Sequence, residues 1–267
     1  MNALKETKKK HLLAILKYLY LHNSSTMNEL VENLQLSQPS IRNMVRTLQE
    51  KQLIQEVGND LSSGGRCPTR FALNEKNYLI LCLYVQVDKV IYQLRNFNEI
   101  KKESILFYQS EDELKKTIKD LIDQEKIHCC QIAVEGIVYE DVYVTDHHNV
   151  LEKHQWLKDI KKEINIPLQL QNDVKMIHQG CYFTYQQDST YYLYINEVGI
   201  GSSYFYKDEP LYGRSGIMGE IGLISLKGKT INQQIRECQN QEEFNEILSL
   251  LLSIVFTMID PKRLELS

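Results

Sequence analysis

Ser37-Gln38-Pro39-Ser40-Ile41-Arg42-Asn43-Met44-Val45-Arg46-Thr47-Leu48 reads as a helix with two unlike faces. Ser37 supplies the side-chain acceptor favoured at an N-cap, and Pro39 is tolerated in a first turn, where its missing N–H has no intrahelical partner. Ile41, Met44 or Val45, and Leu48 recur at helical spacing and form the buried face. Gln38, Ser40, Arg42, Asn43 and Arg46 occupy the other. Upstream, Leu12, Leu13, Leu16, Leu19 and Tyr20 predict an amphipathic helix over residues 7–22. A second helix is capped by Ser25 or Thr26, with Glu29 placed as the capping-box acid if Thr26 is the cap. Met27, Leu30, Val31 and Leu34 are its apolar positions, and Gln35-Leu36-Ser37 turns the chain. Helix, short turn and a helix opening on Arg, Asn, Gln and Ser is the layout of a helix-turn-helix.

That chemistry suits DNA. Arginine bonds a guanine edge at two points and asparagine or glutamine an adenine edge, while serine contacts phosphate and holds register. Leu53–Val57 and Arg70–Leu73 predict two strands. Between them Gly58-Asn-Asp-Leu-Ser-Ser-Gly-Gly-Arg66 makes a wing whose terminal cation, Arg66, is a candidate phosphate or minor-groove contact. The same residues would serve a small helical interaction module with a solvated polar face. Helix order, turn length, polar face and wing agree on DNA.

Charge is distributed in the same sense. The chain of 267 residues has a formal charge of −4, but residues 1–75 hold ten Lys and Arg against seven Asp and Glu. A basic head on an acidic body favours an anionic partner for the head. Apolar residues make up 43% of the chain, enough for a core, and no apolar run reaches the ~18 residues of a membrane span. Lys17 interrupts the run that follows Lys8-Lys9-Lys10, which argues against a secretory leader, so a cytoplasmic protein is expected. Cys67, Cys82, Cys129, Cys130, Cys181 and Cys238 lack C-x-x-C spacing and read as reduced thiols. His147, His148 and His154 fall in a predicted loop as solvated histidines, so no metal site is expected.

From Tyr78 onward strands and helices alternate. Strands are predicted over 78–87, 90–95, 103–108, 129–134, 167–170, 191–195 and 203–206. Helices are predicted over 111–124, 156–164, 174–185 and 242–259, and 263–266 begins another strand. This is an α/β body with a mixed sheet.

Five segments, in order, carry a resemblance to the ROK family (repressors, open reading frames, kinases). Ser63-Gly-Gly-Arg-Cys-Pro68 resembles the family's head-to-body junction. Ala133-Val-Glu-Gly136 resembles its Ala-Val-Pro-Gly, Gln171-Asn-Asp173 its Glu-Asn-Asp, Gly199-Ile-Gly201 the end of its Gly-Thr-Gly-Ile-Gly loop, and Gly219-Glu-Ile-Gly222 its Gly-Glu-Ile-Gly-His. The resemblance implies an actin-like, ribonuclease-H-like sugar-kinase-type fold behind the winged helix. It makes Gly136, Asn172, Asp173 and Glu220 candidate sugar-binding residues. Asp173 stands where the kinases keep a catalytic base, while Asn172 and Glu220 stand where they keep sugar-hydroxyl contacts. Read from the residues alone, Asn172-Asp173 caps the helix beginning near Val174.

Departures from the family pattern argue against catalysis. The kinases' Asp-x-Gly-Gly-Thr phosphate loop is here Tyr84-Val85-Gln86-Val87-Asp88, without a glycine to bring backbone amides to a phosphate. Glu197 adds an anion to the second loop and Val198 replaces a hydroxyl, both adverse to phosphoryl transfer. Leu223 stands where the family has a zinc-binding and sugar-binding histidine, and the accompanying cysteine cluster is missing.

The sequence therefore predicts a winged helix-turn-helix over residues 1–75 and a sugar-kinase-like effector and dimerisation domain over 76–267, short at its C-terminus relative to the family. The expected function is a transcriptional repressor of carbohydrate-related genes, with no catalytic residue, cofactor or metal. Double-stranded operator DNA, a sugar or sugar-phosphate effector and a second copy of the chain are the expected partners. A sugar kinase and an interaction module without an effector are the alternatives.

Overall fold

The computed structural model describes residues 2–59, 67–147, 150–185, 188–196, 199–207 and 209–267. The tip of the predicted wing with Arg66, and His148, Glu197 and Val198, lie outside the described residues. Two compact units form: Met1–Leu81 with Gln93–Glu103 and Lys126–Cys129, and Cys82–Tyr92 with Ser104–Glu125 and Cys130–Ser267.

The first unit holds α1 (Asn2–His22), β1 (Ser24–Thr26), α2 (Met27–Leu34), α3 (Gln38–Glu50), β2 (Ile54–Asn59) and β3 (Thr69–Leu73). β3 pairs antiparallel with both β1 and β2, in sheet order β1-β3-β2. Its core joins Ile15 and Leu19 of α1, Leu30 of α2, Ile41, Met44, Val45 and Leu48 of α3, and Ile54, Phe71 and Leu73 of the sheet. Leu13 and Tyr20, expected to be buried, are exposed. The inward stripe of α1 is instead Leu12, Ile15, Leu16 and Leu19, whose spacing keeps them on one helical face. Phe97, from the turn after residue 95, also packs on this core and stacks on Tyr78 at 5.5 Å, which in turn stacks on His128 at 4.8 Å.

Thr26 is the cap of α2. Its hydroxyl accepts from Glu29 N at 3.2 Å and Glu29 Oε2 accepts from Thr26 N at 2.8 Å. Arg70 of β3 forks onto both carboxylate oxygens of Glu29 and donates to the Ser24 hydroxyl, tying β3 to β1 and α2. The hydrogen bond from Thr26 N, with Ser25 and Arg70 adding to it, holds the Glu29 carboxyl below its ordinary range. The short strand β1 was not legible because Ser24-Ser25-Thr26 carries cap chemistry rather than strand chemistry.

A five-stranded sheet has the order β11-β7-β4-β5-β6. Its strands are β4 (Ile80–Val85), β5 (Lys89–Arg95), β6 (Ile100–Phe107), β7 (Cys129–Val134) and β11 (Leu168–Asn172). α4 (Glu111–Gln124) links β6 to β7, and β11 pairs parallel with β7. Between them lie β8 (Ile137–Tyr139), β9 (Val142–His147) and β10 (Val150–His154), an antiparallel three-stranded sheet, followed by α5 (Trp156–Glu163). These hairpins replace the expected loop around the histidines. α6 (Asp173–Tyr185) then leads to β12 (Ser189–Ile195), β13 (Ile200–Tyr206) and β14 (Glu209–Pro210). β15 (Ser225–Leu226), β16 (Lys229–Thr230), α7 (Ile231–Glu237), α8 (Gln241–Met258) and β17 (Arg263–Leu266) complete the chain. The second mixed sheet runs β14-β13-β12-β17, with β17 parallel to β12. Tyr191, Leu193 and Ile200 of this sheet bury against Ile231 of α7 and Leu251 and Val255 of α8. Among the described residues no helix is long and apolar enough to cross a membrane.

Replacing Thr26 by Ala removes the α2 cap and is expected to cost about 1 kcal/mol in chemical denaturation, with little change in the denaturant slope.

Candidate functional site

The outward face of α3 is as the sequence predicts in its placement. Gln38, Arg42, Asn43 and Arg46 are exposed, while Ile41, Met44, Val45 and Leu48 are buried beneath them. Ser37 is the N-cap; its hydroxyl accepts from Ser40 N at 3.4 Å and donates to the half-buried Ser40 hydroxyl at 3.0 Å. Arg46 pairs with Glu50 at 2.9 Å, but both side chains are open to solvent, so the pair is cheap to exchange for another anion. Among the described residues Arg42 makes no side-chain hydrogen bond or ion pair, which leaves its guanidinium available.

In the second unit four sequence motifs far apart along the chain converge. Asn172, at the end of β11, donates from Nδ2 to Gly136 O at 2.9 Å and accepts Lys175 N at Oδ1 at 3.0 Å. Gly136 has φ +99, and a Cβ there would lie 2.2 Å from Val144 O, so only glycine fits this turn. Asn172, which accepts from the N–H three residues on, is thereby the N-cap of α6, while Asp173, the first helical residue, accepts its neighbour Val174 N at Oδ1 at 2.8 Å. At Asn172 cap and motif are the same residue. Gln171 donates to Tyr212 Oη at 2.7 Å, and the 1% exposed Lys175 donates to Gly216 O at 3.0 Å with Glu220 Oε1 3.9 Å away. Ser202 donates from both N and Oγ to Gly219 O, at 3.0 and 2.7 Å.

Three charged groups therefore share a buried region. Burial raises the Asp173 carboxyl to about 6, and nearby Glu135 adds to the shift. Burial likewise raises Glu220 to about 7, against the opposing ammonium of Lys175. Burial lowers Lys175. Tyr84, where the phosphate-loop comparison starts, sends one phenolic hydroxyl to Glu135 Oε1 at 2.9 Å and lies 3.3 Å from Asp173 Oδ2. A single proton serves two carboxylates, and burial holds it on the phenol by raising Tyr84 far above its ordinary value. Neither Tyr84 nor Lys175 is a predicted site residue. The signal was the absence of the family's residue at Tyr84, and a lysine in an otherwise amphipathic helix at Lys175.

In the loops that would meet a phosphate, the backbone donors of Gln86, Gly199 and Ile200 are engaged. Gln86 N donates to Lys89 O at 2.9 Å within its turn, while Tyr108 donates from N to Asp88 O at 3.0 Å and from its hydroxyl to Gln86 O. In the second loop Gly199 N donates to Asn196 Oδ1 at 3.0 Å and Ile200 N to Asn232 Oδ1 at 2.8 Å. The Asn232 amide is clasped between Gly199 and Gly222, where a Cβ would come within 2.3 and 2.1 Å of its oxygen. These glycines admit the protein's own amide.

One expectation is corrected. His154 is not a solvated histidine: its side chain is 14% exposed, bonds Glu111 at 2.9 Å and Thr145 at 3.1 Å, and stacks on Tyr143 at 4.5 Å. Pairing of β10 with β9, unreadable as a hairpin in sequence, turns it inward.

Asp173 and Glu220 bind protons more tightly folded than unfolded. Their contribution is therefore fully present below the ordinary carboxylate range and is lost as pH rises through about 6 and about 7. Thermal melts are expected to show stability falling between about pH 4 and 7, and Glu220→Gln should flatten the upper part of that slope.

Comparison with known proteins agrees with the arrangement. A sequence model of the ROK family matches residues 95–249. The xylose repressor of Staphylococcus xylosus is 24% identical over 229 residues, covering 78% of this chain and 58% of the repressor. A solved ROK family transcriptional regulator, homologous to the E. coli MLC protein, superposes with a TM-score of 0.65 at 16% identity over 86% of this chain and 64% of that one. A ROK family protein from Streptococcus pneumoniae TIGR4, solved in complex with sucrose, gives 0.57 at 14% identity over 71% and 80%. The chain spans less than two thirds of the length of the repressor and of the regulator. The matched family region takes in more than half of the chain and all four converging body motifs whole, so this protein belongs to the ROK family.

Proposed function

We propose that this chain is a DNA-binding transcriptional repressor of the ROK family whose body senses a carbohydrate and does not transfer phosphate. The observation that carries the reading is the solvent face of α3: Gln38, Arg42, Asn43 and Arg46 project from a helix whose opposite side is locked into the core. Arg42 and Asn43 present the donors that read guanine and adenine edges, Gln38 sits at the helix start where base contacts are made, and Arg46 and Ser40 position the backbone. Arg66 would extend the contact from the wing. The likeness to a xylose repressor and to a ROK transcriptional regulator supports the same reading. Two copies on a palindromic operator would raise both affinity and specificity.

The engaged donors of the 86–88 turn and of Gly199 and Ile200 argue against a nucleotide phosphate in either loop. Gly136, Asn172, Asp173 and Glu220 then act as a frame for an effector site. A ligand bound there would shift the population of DNA-competent conformations.

Arg42→Ala is expected to weaken binding to a specific operator by roughly 10- to 100-fold, about 1–3 kcal/mol, and to relax base preference at the contacted position. The assay is DNA binding upstream of the protein's own gene, at fixed salt with nonspecific competitor. Unchanged affinity and selectivity would remove Arg42 from the reading set. Sugar-dependent ATP turnover in a coupled assay would overturn the non-enzymatic reading.

A further inference from the structure

Gly136, Asn172 and Asp173 are already hydrogen-bonded within the protein, yet the second unit holds a cavity of about 240 Å³ beside them, lined in part by Glu135. Three elements close it: the turn after β4, the junction of β6 with α4, and the inner faces of β9 and β10. This is below the roughly 300–1,000 Å³ of drug-sized sites and suits a monosaccharide. Its wall carries three carboxylates, Glu111, Glu135 and Glu152, and among the described residues lining it there is no lysine or arginine.

The wall is ordered. Tyr143 accepts the Trp156 indole N–H at 3.0 Å and stacks on His154, and His154 is held between Glu111 and Thr145. Tyr143 is raised above its ordinary range by burial, with Glu111 and Glu152 adding to the shift, and Tyr108 is raised to about 12 by burial, with Asp88 and Glu111 adding. Both phenols therefore stay neutral, with the Tyr108 proton committed to Gln86 O and one face of the Tyr143 ring covered by His154. A sugar phosphate would meet three like charges here. A protonated amine would meet three opposite charges and aromatic faces, while Thr145 and Gln86 offer partners for ring hydroxyls.

The geometry points to a cationic monosaccharide, an amino sugar with a free ammonium group, as the effector of this cavity. This rests on the reading of the body as an effector site and names its ligand class. The amine lies toward Glu152 and Glu111, and the ring lies against Tyr143 and Tyr108. Glu135 links the ligand to Tyr84 and Asp173 through the bond it already shares with the Tyr84 hydroxyl.

The test is calorimetric titration of the full chain at low ionic strength with D-glucosamine, D-glucose, N-acetyl-D-glucosamine and D-xylose. D-Glucosamine is expected to bind more tightly than its neutral counterparts by about tenfold or more. Exposed Glu152, which is outside the hydrogen-bond frame, supplies the variants: Glu152→Gln should erase the preference and Glu152→Lys abolish glucosamine binding, both with unchanged melting temperature. A neutral sugar bound as tightly as glucosamine, or a preference that survives Glu152→Gln, overturns the inference and leaves the effector reading standing. Binding of none of the four overturns both.

Discussion

Asn172 cannot move without dismantling the body. Its amide donates to Gly136 O and accepts from Lys175 N, and at 4% exposure no water can replace either partner cheaply. The two bonds fix the end of β11 against the turn after β7 and set the first turn of α6. The rest of the constellation follows from that geometry. Lys175, one turn along α6, reaches Gly216 O, Gln171 holds Tyr212, and the loop carrying Glu220 is drawn to the same place. A buried ammonium and two buried carboxylates are tolerable there only because each has a partner of opposite charge or a hydrogen-bond donor.

The head and the body use polar groups in opposite ways. On α3 the polar side chains face solvent with few internal partners, so they remain free to exchange water for an anionic surface. In the body nearly every polar group of the converging motifs is already bonded to the protein, including the amides of the glycine loop that would otherwise cradle a phosphate. A glycine loop offers phosphate binding only through unspent N–H groups, and here Asn196 takes that of Gly199 and Asn232 that of Ile200. What remains open is the neighbouring cavity, whose carboxylates select by charge.

The order of elements was legible because each carries its own local signal. Capping chemistry placed the start of α3 at Ser37 and narrowed that of α2 to Ser25 or Thr26, and the alternation of β-formers with amphipathic stretches placed the strands and helices of the body near their observed limits. The β8–β9 hairpin was not legible, since Tyr139-Glu140-Asp141 lacks the glycine or asparagine that announces a tight turn. Burial on α1 was also mistaken at Leu13 and Tyr20, because several phases of the same apolar helix satisfy the pattern and only the packed neighbours choose among them.

By itself, the sequence determined the helical head with its cationic, amide-bearing face, the α/β body and the five motifs that announce a ROK protein. Each of these depends on contacts within a turn or on strand and helix periodicity, which neighbouring residues dictate. The tertiary structure alone decided that Asn172 also binds Gly136 O, that Tyr84 and Lys175 occupy the heart of the site, and that His154 faces a cavity walled by Glu111, Glu135 and Glu152. Those groups are separated by tens of residues along the chain, and the sharing of a proton or a charge between them depends on ångström-scale distances that no local pattern encodes.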